Sequence, residues 1–206
     1  MSGATLTTLE TPHGEARVHL HAAPDPRAAL LLGHGAGGGI AAPDLVTVTR
    51  VALECDVGVA LVEQPYRVAG RRSAPRAPVL DAAWISIAEQ LAAGPLEGLP
   101  FITGGRSSGA RVACRTAAAT GAVAVLCLAF PLVAPSGVSR QDELDDAGVS
   151  VLVVQGASDR FGIPEPDPAR SRSVAIVRGD HGLKSDLAGV ADAVAPWLLV
   201  QLARLG

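Results

Sequence analysis

The chain has 206 residues, 49% of them hydrophobic, enough to bury a sizeable core within one domain spanning residues 1–206. A net charge of −3, 3% aromatic residues and no basic block exclude a nucleic-acid surface. Lys184 is the only lysine, so the abundance of arginine reads first as a composition bias and only second as anion binding.

The opening "MSGATLTTLE" lacks the charged-then-apolar pattern of a signal peptide. The longest apolar stretch, residues 122–134, is too short for a bilayer and carries Pro131. No membrane association is expected. Cys55, Cys114 and Cys127 form an odd set without metal-like spacing, each within an apolar segment. They are expected to be reduced core thiols of a cytoplasmic protein.

In chain order, residues 5–9 and 16–21 read as two short strands around the turn "TPHGE". An apolar strand at 28–33 precedes the glycine-rich "HGAGGG" (34–39), and Pro43 and Asp44 suit the first turn of a helix ending near Glu54. Residues 57–65 form the next strand. The polar loop "YRVAGRRSAPRAP" (66–78) leads to a helix over about 79–93. A strand at 99–105 and a helix at 108–120 follow, then strands at 122–130, 149–156 and 173–179, and a final helix over about 186–204. Continuous apolar strands alternating with helices predict an α/β fold, a mostly parallel sheet covered on both faces. The segment 131–148 is short and ends in the acidic "RQDELDD", so the lid is expected to be minimal or missing.

The strand at 99–105 runs into Gly105-Arg106-Ser107-Ser108-Gly109, which fits G-x-S-x-G. A sharp strand-to-helix turn strains the serine backbone, and side chains two residues to either side would strike the neighbouring elements. Ser107 has glycines in both places; Ser108 has Arg106 and Ala110. Ser107 is therefore the candidate nucleophile, although a tight turn with a helix-capping serine would look similar.

A serine hydroxyl needs a base, and the base needs an acid to orient it. On this fold the order is serine, acid, histidine, each after a strand. His181, in "GDHGLKS", is the only histidine downstream of Ser107. Asp159 follows the preceding strand and is the candidate acid, although it also suits a helix N-cap. Asp180 competes but adjoins His181, and Glu63, Asp142, Asp145 and Asp146 are placed worse. The developing oxyanion needs backbone donors. The N–H of Ser108 and that of Ala36, with Gly37 as the alternative, are expected to supply them.

These segments together, "GHGAGGG", "EQPYRVAGRR", "GGRSSGAR", "QGASDRFG" and "GDHGLK", resemble the α/β-hydrolase superfamily. Within it the chain is similar to a small, lid-poor family of predicted or dienelactone-hydrolase-like proteins, whose relatives include domains of larger chromatin-associated proteins. The resemblance runs from about residue 15 to 204. It implies Ser107, Asp159 and His181 as a catalytic triad, with Ala36 and Ser108 as oxyanion donors. True dienelactone hydrolases use a cysteine nucleophile where this chain has Ser107, so dienelactone chemistry is not carried over.

Two other readings compete. Gly33, Gly35 and Gly38 satisfy G-x-G-x-x-G after a strand, with Glu63 placed for a ribose, as in a dinucleotide-binding oxidoreductase. Against this, "GIAAP" separates the third glycine from the helix. The other alternative is a catalytically silent scaffold. Arg71, Arg72 and Arg106 could recognise an acidic substrate, or could simply be solvated. His13, His19 and His21 receive no role. The sequence thus predicts a serine hydrolase acting on small-molecule acyl substrates, esters or thioesters, with no metal or organic cofactor.

Overall fold

The turn at Pro12 and His13 joins two antiparallel strands, β1 (Thr5–Thr11) and β2 (Gly14–His21), at one edge of an eight-stranded sheet. The structure, a computed structural model, describes residues 3–206, so the first two residues of the opening segment read above lie outside it. β3 (Ala28–Gly33) is buried at every position, as an apolar run flanked by strands on both sides must be.

Helix α1 (Pro43–Glu54) starts with proline at its first position, where the missing N–H costs no intrahelical bond. After β4 (Val57–Glu63), the expected loop contains one helical turn, α2 (Pro65–Val68). α3 (Ala77–Ala92) begins two residues earlier than predicted because Pro78 fits its first turn. The rest follows the predicted order, β5 (Phe101–Arg106), α4 (Ser108–Thr120), β6 (Ala124–Leu128), β7 (Ser150–Gly156), β8 (Arg172–Val177) and α6 (Leu187–Ala203), except that a short helix not foreseen in the sequence, α5 (Gln141–Asp145), lies between β6 and β7.

The strand order is β1-β2-β4-β3-β5-β6-β7-β8, parallel from β4 onwards in that order. Alternate side chains of each strand serve opposite faces. Leu30 and Leu32 pack with Leu45 and Val48 of α1 and with Val194 and Leu198 of α6. Leu31 faces the other way, onto Trp84 and Ile87 of α3. No helix among the described residues is long and apolar enough to cross a membrane.

The chain leaves β3 for β4 on one side and returns to β5 on the other. The loops after β3 and β5 therefore diverge, opening a crevice at the carboxyl ends of the strands. At this point β5, β3 and α4 are in backbone contact. A Cβ on Gly105 or on Gly109 would overlap the carbonyl oxygen of Gly33. Gly109→Ala is expected to cost at least about 3 kcal/mol, lowering the Tm by about 6–12 °C in thermal unfolding.

Candidate active site

Ser107 stands between β5 and α4 with φ 52° and ψ −106°, a left-handed conformation that costs a non-glycine residue about 1–3 kcal/mol. The strain is held from both ends. Its N–H donates to the Leu128 carbonyl at 2.9 Å, and its own carbonyl accepts from Arg111 in the first turn of α4. The side chain is thereby presented to the crevice, not to the helix cap: no capping bond forms.

Ser107, His181 and Asp159 form one hydrogen-bonded chain. His181 Nε2 lies 2.9 Å from Ser107 Oγ, and His181 Nδ1 lies 2.8 Å from Asp159 Oδ2. Since the carboxylate can only accept, the ring donates from Nδ1 and Nε2 can accept from the serine hydroxyl. The Asp159 side chain is fully buried, and its other oxygen, Oδ1, accepts from the Phe161 N–H at 2.9 Å. The Phe161 ring meets the imidazole edge to face, centroids 4.7 Å apart. Asp180, the competing acid, instead accepts from the Gly182 N–H and shapes the histidine loop.

Ala36 and Ser108 border the same cleft as Ser107, and among the described residues neither backbone N–H has a hydrogen-bond acceptor. The Ala36 carbonyl accepts from the Tyr66 hydroxyl at 3.0 Å. His34, beneath the loop, donates from Nδ1 to the Gly35 carbonyl and accepts at Nε2 from the Gln64 N–H. Burial pushes its pKa down, in keeping with the neutral ring those two bonds require. Gly37 is not among the residues lining the cleft.

Of the three arginines weighed for an acidic substrate or for simple solvation, none lines the cleft beside Ser107. Arg106 is directed into the protein: its Nε is 3.0 Å from Asp44 Oδ2, and its Nη2 donates to the His181 carbonyl at 2.8 Å. The Asp44 contact is an ion pair and not an aligned hydrogen bond, leaving Oδ2 without a donor. Arg71 and Arg72 are exposed, and neither lines the cleft beside Ser107; Arg71 borders a separate cavity next to Tyr66. The arginines of the cleft are Arg76, Arg111, Arg115 and Arg140.

Sequence reasoning passed over several of these residues. Gln155 is fully buried, and its amide nitrogen faces Asp159 Oδ2 at 2.8 Å and the carbonyls of Phe130 and Gly162. Its signal was one polar residue inside the apolar run "VLVVQG". Tyr66 and the cleft arginines carried no local signal. The acidic segment "RQDELDD" forms α5, whose Glu143 binds Arg111 and Arg115 of α4; it covers no site. Of the glycine pattern weighed for a dinucleotide, Gly33 abuts α4 at Gly109, and Glu63 sits 3.2 Å from His19.

Fold and serine turn together define a lid-less α/β hydrolase architecture. Residues 26–189 match the family model described as an alpha/beta hydrolase domain, and the chain belongs to that family. Solved structures agree in fold. An α/β serine hydrolase without lid from Xanthomonas campestris superposes with a TM-score of 0.77 at 18% identity, over 99% of this chain and 95% of the other. Est1E from Butyrivibrio proteoclasticus gives 0.76 at 15% identity over 98% and 100%, and a dienelactone hydrolase from Anabaena variabilis 0.75 at 17% over 96% and 97%. No curated protein matches the chain significantly.

Burial pushes the Asp44 carboxyl above its ordinary value of 3.8, and the Arg106 guanidinium opposes that push. Arg106→Gln removes the opposing charge and is expected to cost about 3 kcal/mol at pH 7. The sign with pH follows from the raised native pKa. An ionised, unpaired Asp44 destabilises the fold, and folding then favours the protonated form. The deficit should therefore shrink as pH falls through the native pKa towards 3.8, in denaturant unfolding at a series of pH values.

Proposed function

We propose that the protein is a cytoplasmic serine hydrolase that cleaves small ester or thioester substrates through an acyl-enzyme. The observation that carries this reading is the chain Ser107 Oγ, His181 Nε2, His181 Nδ1, Asp159 Oδ2, with both links under 3 Å and the serine on a strained turn.

Ser107 Oγ attacks the substrate carbonyl carbon while His181 Nε2 takes the hydroxyl proton. Asp159 holds the tautomer and stabilises the imidazolium. The tetrahedral oxyanion lies between the N–H groups of Ser108 and Ala36, and the alternative donor, Gly37, is set aside because it does not line the cleft. Tyr66, through its bond to the Ala36 carbonyl, holds that peptide in place. Collapse expels the alcohol or thiol, which takes the proton from His181. Water then enters, His181 accepts its proton, and the second tetrahedral intermediate releases the carboxylic acid and Ser107. The open cleft of about 380 Å³ suits short acyl groups. The three unbridged cysteines suit a reducing compartment.

A fluorophosphonate probe is expected to label the wild-type protein and the Ser108→Ala variant but not Ser107→Ala. With a short nitrophenyl ester, Ser107→Ala should lose at least about 10⁴-fold in kcat, and Asp159→Asn about 10³- to 10⁴-fold. A folded wild type that neither takes up the probe nor turns over esters would be a binding scaffold, and this reading would fall.

A further inference from the structure

The cleft beside Ser107 is lined by four arginines, Arg76, Arg111, Arg115 and Arg140, and by no acidic residue. Two carboxylates stand behind them. Glu143 Oε1 and Oε2 accept from Arg111 at 2.6 and 2.8 Å, and Asp81 Oδ1 and Oδ2 accept from Arg115 at 2.6 and 2.9 Å. Arg115 also reaches Glu143 at 3.0 Å. Burial pushes the Glu143 carboxyl up, but the two guanidiniums outweigh it and hold it below the usual carboxylate range. Both carboxylates are thus fully engaged.

Arg140 and Arg76 remain. Neither has a carboxylate within ion-pairing distance among the described residues. Arg140 is half-buried, donates one Nη1 bond to the Pro131 carbonyl at 3.0 Å, and keeps the rest of its fork free. Its burial and its closeness to Arg111 and Arg115 disfavour its charge, and Glu143, too far for an ion pair, offsets this only in part. A guanidinium cannot shed its proton at physiological pH, and an anion on the free part of its fork would relieve the repulsion that is left. Arg76 is exposed at the start of α3, on the same cleft.

We infer that Arg140, assisted by Arg76, forms an anion subsite, and that the preferred substrates are esters or thioesters bearing a carboxylate or phosphate. This rests on the proposed serine hydrolysis. It transfers the selection of acidic substrates from Arg71, Arg72 and Arg106, none of which faces this cleft, to residues that do. Arg111 and Arg115, neutralised by Glu143 and Asp81, line the same cleft without a free charge to offer.

The test compares kcat/KM for matched pairs of esters. Nitrophenyl hemiadipate against nitrophenyl hexanoate places the anion on the acyl side. The acetate ester of hydroxybenzoate against phenyl acetate places it on the leaving side. The wild type should favour the anionic member of at least one pair by about tenfold or more, the effect of one charge-assisted contact. The preference should weaken with added salt. Arg140→Gln should bring the ratio to within about twofold of unity, Arg140→Lys should leave part of it, and Arg72→Gln should keep the wild-type ratio. Equal turnover within both pairs, or a preference that survives Arg140→Gln, overturns the subsite.

If no ester is turned over, the hydrolase reading fails, and the subsite is judged by calorimetric titration with adipate and with inorganic phosphate. Saturable binding of either anion that Arg140→Gln abolishes upholds it, and the tighter one identifies the oxyanion. Absence of binding overturns it.

Discussion

Everything at the candidate site depends on how closely the backbones of β3, β5 and α4 approach one another. Gly33 lies against both Gly105 and Gly109, at distances that leave no room for a Cβ on either. That contact forces the chain to reverse within one residue between strand and helix. The residue at the reversal is Ser107, whose positive φ lifts its side chain out of the helix start and into the crevice. The strain is local, and its cost is met by the packing of the fully buried strands β3 and β6 on either side of β5. The crevice exists because the strand order reverses at β3, so one topological fact places both the serine turn and the glycine-rich loop at its mouth.

The second constraint is electrostatic. Asp44 is fully buried in the first turn of α1, and the charge that offsets it comes from Arg106, the residue before the serine. The same guanidinium binds the His181 carbonyl. One side chain therefore ties α1, the serine turn and the histidine loop together. On the acid side Gln155 plays the corresponding part, joining the end of β7 to Asp159 and to the backbone after β6. A Cβ on Gly156 would strike the carbonyl of Asp180, so the acid and histidine loops also touch directly. The distances along the Ser107, His181 and Asp159 chain are set by these supports more than by the three residues themselves.

Much of this was legible in the sequence, and the reason is physical. Periodicity and apolar runs report burial, and all eight strands and the long helices follow from burial on one or both faces. G-x-S-x-G reports a steric demand, and chain order reports which loops can meet, so Ser107, Asp159 and His181 could be named together. Charge partners could not. Arg106 and Asp44 are 62 residues apart, and Arg115 and Asp81 are 34 apart, with no periodic signal linking them. Arg106 invites two readings from its place beside the serine, a substrate contact or a solvated side chain, and it is neither: it is directed to Asp44 and the His181 carbonyl. Adjacency in sequence says nothing of direction when the chain reverses between the two residues. Likewise "RQDELDD" shows in sequence only as the acidic end of a segment too short for a lid, and the arginines of α4 that pair with its Glu143 are visible only in the structure.

The distinction that matters for function is therefore between arginines the fold has already neutralised and those it has not. Arg106, Arg111 and Arg115 each have a carboxylate partner, and their charge goes to holding α1, α4 and α5 in register around the elbow. Such pairs add little net stability against apolar replacements, yet losing one partner is costly, so they act as locks more than as glue. Arg140 stands at the edge of this network, bonded to the Pro131 carbonyl and drawn to Glu143 from beyond ion-pairing distance, but with no carboxylate of its own. It lines the cleft beside Ser107, so on the proposed reading its charge is the one available to an incoming acidic ester, while the paired arginines serve the fold.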